Sequence, residues 1–178
     1  MFRPNLIIVT GRPGSGKSTL SLKLAEAIRC PLISRDRIKE GIVNTTGDKG
    51  APGGSLAHEV YELFFKNIQL LLESGSTVVA EAAFQHKLWA PKFEELAKIA
   101  RVKIVLFDIS AELAMQRVNE RRQKDTRWDF FHNAPLNQTK LPPNRYTPPD
   151  LNCEILKIDS SKGYEPNFES ILEFARSR

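Results

Sequence analysis

Strands and helices alternate along the whole chain, and that alternation predicts an α/β three-layer sandwich with a mainly parallel sheet. Three observations carry the prediction. Short continuous apolar runs rich in β-branched residues recur, as in "LIIVT" at 6–10 and "VKIVLFD" at 102–108. Such runs suit strands covered on both faces. Stretches with apolar residues at helical spacing separate them. Finally, 178 residues with 41% hydrophobic and 26% charged content suffice for one domain, 1–178, with a real core.

The elements follow in order. "LIIVT" is the first strand, and Leu20, Leu24, Ala25 and Ile28 mark a helix over 18–29 that ends before Pro31. "LIS" (32–34) is a brief second strand, and 36–42 a short helix. Residues 44–55 hold four glycines and no periodic pattern, which predicts a loop. Val60, Leu63, Phe64, Ile68, Leu71 and Leu72 predict a strongly amphipathic helix over 56–74, stopped by Gly75. "STVVA" (76–80) is the third strand. A helix follows over 89–100, with Pro91 in its first turn. The fourth strand is 102–108, after which Ser110 caps a helix from 111 to about 122. Residues 123–151 read as irregular, "CEILKID" (153–159) as the fifth strand, and 168–176 as the closing helix.

Composition narrows the function classes. No apolar run is long enough to span a bilayer, and the N-terminal stretch lacks the pattern of a signal peptide. Cys30 and Cys153 are the only cysteines and lie far apart, which indicates neither a zinc site nor a disulfide framework. Free thiols and a cytoplasmic location are expected. The net charge of +5 fits an anionic ligand and fits a mildly basic surface equally well. No membrane and no protein partner are implied.

The informative motif is "GRPGSGKS" at 11–18, followed by Thr19. G-x-x-x-x-G-K-S between a buried strand and an amphipathic helix is a phosphate-binding loop. Gly11, Gly14 and Gly16 allow positive φ and close approach of an anion. The N–H groups around Pro13, Ser15 and the helix N-terminus then form a positive nest. Lys17 reaches the β- and γ-phosphates, Ser18 holds Mg²⁺, and Thr19 meets the α-phosphate. The expected fold is thus that of the P-loop nucleoside triphosphatases, with a five-stranded sheet. With no N-K-x-D motif, ATP is expected rather than GTP. Motors and AAA-type machines are usually larger and add a sensor region, for which this length leaves no room.

"LISRDRIKEG" follows the second strand. Ligands of open α/β sheets lie beyond the carboxyl ends of the strands, so Asp36 faces the γ-phosphate as a candidate general base. It can also cap the short helix, and the two roles are compatible. Arg35, Arg37 and Lys39 are candidates to hold an anionic acceptor, or are solvated surface charges.

The P-loop, "SRD" and the arginine-bearing helix after the fourth strand together resemble the small P-loop kinases. That group includes the kinase domain of polynucleotide 5′-hydroxyl kinases, gluconate kinase, chloramphenicol phosphotransferase and zeta-toxin-like proteins. "ISRD" is most similar to the polynucleotide kinase pattern, in which the aspartate activates a 5′-hydroxyl. Those enzymes tend to carry an arginine three residues later, where this chain has Lys39. The resemblance implies a Walker B-like acid at Glu81, which would order Mg²⁺ through water. Asp108 looks like such an acid but falls at the junction with the next helix, while Thr10 and His86 are weaker candidates. It also implies a lid over about 117–145, in which Arg117 stacks on adenine and Arg121 meets the transferring phosphoryl group. Arg122 and Arg127 read rather as a basic, solvated helix end, and Trp128, Phe130 and Phe131 as packing or as contacts to the base or acceptor. The predicted activity is ATP- and Mg²⁺-dependent transfer of the γ-phosphoryl group to a hydroxyl of a polynucleotide 5′ end or a small polar molecule. A nucleotide-binding regulatory module and a toxin-like nucleotide-sugar kinase are the alternatives.

Overall fold

The computed structural model describes residues 3–51, 53–84, 86–125, 128–131 and 146–177. Five parallel strands form one sheet: β1 (Asn5–Gly11), β2 (Leu32–Ser34), β3 (Val78–Glu81), β4 (Arg101–Phe107) and β5 (Glu154–Ile158). Their order across the sheet is β2-β3-β1-β4-β5. The helices are α1 (Lys17–Ile28), α2 (Arg35–Thr46), α3 (Ser55–Glu73), α4 (His86–Leu96), α5 (Ala111–Lys124), α6 (Trp128–Phe131) and α7 (Phe168–Arg176). The expected three-layer sandwich is the observed one, with every strand pair parallel.

Both sheet faces are covered, which explains the unbroken apolar runs. Leu6, Ile8, Val78, Ala80, Ile104 and Leu106 point to one side and meet Phe64, Phe65, Ile68, Trp89 and Phe93 of α3 and α4. Ile7, Val9, Val79, Val105, Phe107 and Ile158 point to the other and meet Leu20, Leu24, Ile171 and Ala175 of α1 and α7. A period of two thus assigns residues to faces, and both faces are apolar. The cysteines are free and half-buried, and burial pushes the Cys153 thiol up to about 11.

Several element bounds differ from expectation. Helix α2 runs on to Thr46 because Val43 is fully buried, and Gly47, at φ 72°, closes the helix with its N–H on the Val43 carbonyl. Asp36 is therefore inside the first turn, and Ser34 occupies the cap position. Helix α4 starts at His86, so Pro91 lies within the helix and not in its first turn. Trp89 drives this, since its ring packs among Tyr61, Phe64, Phe65 and Phe84. The one-turn helix α6 falls in the stretch expected to be irregular.

A buried lysine fixes the last helix. Lys103 on β4 is 1% exposed, and its ammonium donates to the carbonyls of Phe174 and Ser177, at 2.9 Å each, and to the Ser177 hydroxyl. It thereby satisfies carbonyls at the C-terminus of α7, where a positive charge is favoured. Lys103→Met removes the charged donor and leaves the Ser177 carbonyl to the Asn5 side-chain amide at 3.3 Å and the Phe174 carbonyl to the Ser177 hydroxyl at 3.0 Å. It is expected to cost about 3 kcal/mol through the loss of two hydrogen bonds from a charged donor. A thermal melt checks this: the midpoint should fall by roughly 6–12 °C.

Candidate nucleotide and phosphoryl-transfer site

Because all strands run the same way, their carboxyl ends share one edge. Gly11, Ser34, Glu81, Phe107 and Ile158 end β1 to β5, and the loops that follow them build the site.

The loop after β1 has the backbone that an anion cradle needs. Gly11, Gly14 and Gly16 have φ of 150°, 84° and 98°. A Cβ on Gly14 would stand 2.1 Å from the Ala114 carbonyl oxygen, so the loop apex packs directly on α5. A Cβ on Gly11 would stand 2.7 Å from the Phe107 Cβ. Helix α1 begins at Lys17 without a side-chain cap, which leaves its first N–H groups available to an anion. Ser15 is fully buried, and its hydroxyl is an unpartnered donor among the described residues. Pro13 and Thr19 lie in the same strand–loop–helix unit.

Lys17 is 7% exposed, and its ammonium donates to the Arg12 carbonyl at 2.9 Å, folding back over the loop. Burial drags its ammonium below the ordinary lysine range, opposed by the Glu81 and Asp36 carboxylates. Those two acids are therefore within electrostatic reach of the lysine.

Glu81 ends a strand whose other residues, Val78, Val79 and Ala80, are fully buried and apolar. Its own exposure is 2%. One carboxylate oxygen accepts from the Ser34 hydroxyl at 2.6 Å, and the other accepts from the Ser18 hydroxyl at 3.4 Å. Burial pushes this carboxyl above its ordinary range; the Ser34 bond opposes the rise and Asp36 adds to it. Lys17 and the Ser18 bond pull the other way. A hydroxyl and a carboxylate side by side, next to a lysine and a phosphate cradle, fit Mg²⁺ held mainly by nucleotide oxygens. Among the described residues no cluster of three or more histidine, cysteine, aspartate or glutamate side chains forms an all-protein metal site. Asp108 instead pairs with Lys157 at 3.8 Å, both side chains being two-thirds exposed. Of the two acids, Glu81 is the one beside Ser18.

On the acceptor side, Asp36 is 55% exposed at its side chain and lies 3.6 Å from the Arg35 guanidinium. Lys39 is half-buried, and burial together with Arg35 and Lys49 lowers its ammonium pKa, against the pull of Asp36. Arg35, Asp36 and Lys39 thus converge, while Arg37 is exposed. Helix α6 packs on α2. Its Phe130 is exposed and makes an edge contact with Phe131 at 5.1 Å.

The Arg117 guanidinium donates to the Ser160 hydroxyl at 3.1 Å, to the Ser160 carbonyl at 2.8 Å and to the Ser161 carbonyl at 3.4 Å. The Ser160 hydroxyl in turn donates to the Ser15 carbonyl at 2.8 Å. This chain of bonds ties α5 and the loop after β5 to the phosphate loop. It uses the edge of the guanidinium, whereas stacking would use its face. Arg121 stands one turn further on, exposed in the last turn of α5. Arg122 is half-buried on the same helix. Arg127 and residues 132–145 of the expected lid lie outside the described residues, as do the His86 and Trp128 side chains.

Sequence reasoning missed two residues here, Ser34 and Ser160. Ser34 could have been suspected as the polar end of an apolar strand, but nothing local points to Ser160. Thr10, a weaker candidate, is fully buried. Its hydroxyl accepts from the Phe84 N–H at 3.2 Å and pairs with the Tyr146 hydroxyl at 2.8 Å.

The family described as "AAA domain" matches residues 6–141. The chain belongs to this family. An adenylate kinase from Rickettsia rickettsii (strain Sheila Smith) is 28% identical over 120 residues, 64% of this chain and 56% of the relative. The chain thus spans little more than half the length of the curated adenylate kinases it matches. The crystal structure of a kinase candidate from Chloroflexus aurantiacus shares the fold with a TM-score of 0.80 at 24% identity, over 98% of both chains. A gluconokinase from Sinorhizobium meliloti shares it with a TM-score of 0.56 at 20% identity, over 98% of this chain and 91% of that one. At these identities the likeness is one of fold, and this member of the AAA-domain family has the fold of the small P-loop kinases. Among the described residues, no helix is long and apolar enough to cross a membrane.

Proposed function

We propose that the protein is an ATP- and Mg²⁺-dependent kinase that transfers the γ-phosphoryl group to a hydroxyl, carried by a polynucleotide 5′ end or a small polar molecule. The observation that carries this reading is the convergence of Ser18, Glu81, Lys17 and Asp36 beyond the ends of β1, β2 and β3. A nucleotide-binding module without transfer has no need of Asp36 there.

In this reading the glycine loop and the N-terminus of α1 bind the phosphates. Lys17 gives up the Arg12 carbonyl for the β- and γ-phosphate oxygens. Ser18 and Glu81 would hold Mg²⁺, which when bound neutralises charge on those oxygens. Asp36 takes the proton of the acceptor hydroxyl, while Arg35 and Lys39 hold an anionic group beside it. Arg121 neutralises charge on the group in transit, and Arg117 offers a planar face to the adenine. Positioning and charge neutralisation supply most of the rate.

The similarity to adenylate kinases favours a second reading, in which the acceptor is a phosphate. Asp36 argues against it, because a carboxylate at the transfer point repels a phosphate acceptor and serves a hydroxyl. A screen with γ-labelled ATP separates the two. It should include 5′-hydroxyl oligonucleotides, nucleosides, nucleotide sugars, sugar acids and AMP. Label is expected on a hydroxyl. Label on AMP alone would replace the hydroxyl reading, and slow release of inorganic phosphate with no labelled acceptor would favour the regulatory module. In competition binding ATP should outcompete pyrimidine triphosphates, and GTP should be no better than ATP; a clear preference for GTP overturns the choice of cofactor.

A further inference from the structure

Ser34 stands where a serine normally caps a helix, yet its side chain makes no bond to the first turn of α2. Its hydroxyl donates instead to Glu81 at 2.6 Å, and both residues are buried, at 7% and 2% exposure. The two are direct partners in the parallel pairing of β2 with β3. That bond claims one carboxylate oxygen and leaves the other toward Ser18. A carboxylate at the end of a fully buried apolar strand is costly unless it is held by hydrogen bonds.

We propose that Ser34 is a positioning residue: it sets the rotamer of Glu81 toward Ser18 and ties that carboxylate to the turn of α2 that carries Asp36. Donor and acceptor halves of the site then share one hydrogen bond. This inference rests on the reading that Ser18 and Glu81 hold Mg²⁺. Residues that orient a metal-holding group from behind typically change metal affinity or activity by about 10–100-fold when removed.

The test is a Mg²⁺ titration of ATP binding, followed by calorimetry or a fluorescent ATP analogue, with no turnover required. Ser34→Ala is expected to raise the Mg²⁺ concentration for half-maximal binding by about ten-fold or more, while ATP binding without Mg²⁺ stays at the wild-type level. Ser34→Thr, which keeps the hydroxyl, should restore the wild-type value. Ser34→Val has the shape of threonine without the hydroxyl, so the Thr/Val pair decides the matter if Ser34→Ala does not fold. Glu81→Gln is the reference. A raised midpoint in Glu81→Gln with a wild-type midpoint in Ser34→Ala overturns the role of Ser34 alone. Wild-type midpoints in both overturn the metal reading as well. A lower melting temperature in Ser34→Ala with an unchanged Mg²⁺ midpoint shows a merely structural hydroxyl and also overturns the proposal.

Discussion

Lys17→Met is expected to abolish the thermal stabilisation by Mg²⁺-ATP and to lower phosphoryl transfer by roughly 10²–10³-fold, the loss typical for one preorganised charge-stabilising group. Binding raises stability according to ligand concentration over dissociation constant, so a lost shift reads directly as lost affinity. The free protein should nonetheless fold. Lys17 is buried, and its charge is satisfied in part by a single 2.9 Å bond to the Arg12 carbonyl. Methionine fills a similar volume without the cost of a buried ammonium. Melting curves with and without Mg²⁺-ATP therefore separate binding from folding. A wild-type shift in the variant would remove the phosphate loop from the proposed mechanism.

Much of this site is written in contiguous residues. Gly11 to Thr19 could be read as a phosphate loop because the motif, the strand before it and the helix after it are adjacent in the chain. The sheet was legible for a related reason: burial on both faces forces runs such as Leu6–Thr10. Pairings across the sheet were not legible. Ser34 and Glu81 meet only through the register of β2 with β3, and Ser160 reaches Ser15 only through the loop that follows the edge strand β5. Neither encounter leaves a local pattern.

Bounds failed where tertiary contacts overrode local preference. Asn44, Thr45 and Thr46 are poor helix formers. Helix α2 includes them because Val43 is buried, and the Thr45 and Thr46 hydroxyls bond back to the Gly41 and Ile42 carbonyls. Pro91 argued for a helix start, but the packing of Trp89 and Phe93 holds the preceding turn.

Asp36→Asn is expected to bind ATP as the wild type does and to lose transfer by roughly 10²–10⁴-fold, the usual worth of a positioned general base. The substitution keeps size and hydrogen bonding and removes the basic carboxylate. The observed geometry sharpens this test. Asp36 sits in the first turn of α2, while Ser34 holds the cap position, so asparagine does not replace a capping group. A purely structural Asp36 would act through its charge at the helix N-terminus, worth about 0.3–1 kcal/mol, and through its part-exposed pair with Arg35, worth at most about 1 kcal/mol. That would appear as a small drop in melting temperature with transfer intact. Removing the carboxylate also relieves Glu81 of a neighbouring negative charge and Lys17 of a favourable one. ATP affinity must therefore be measured beside the rate, so that a change in the phosphate site is not mistaken for loss of the base. The acceptor found in the screen fixes the assay. Transfer at the wild-type rate to that acceptor, with Asp36→Asn correctly folded, would leave the nucleotide site standing and require another group to take the hydroxyl proton.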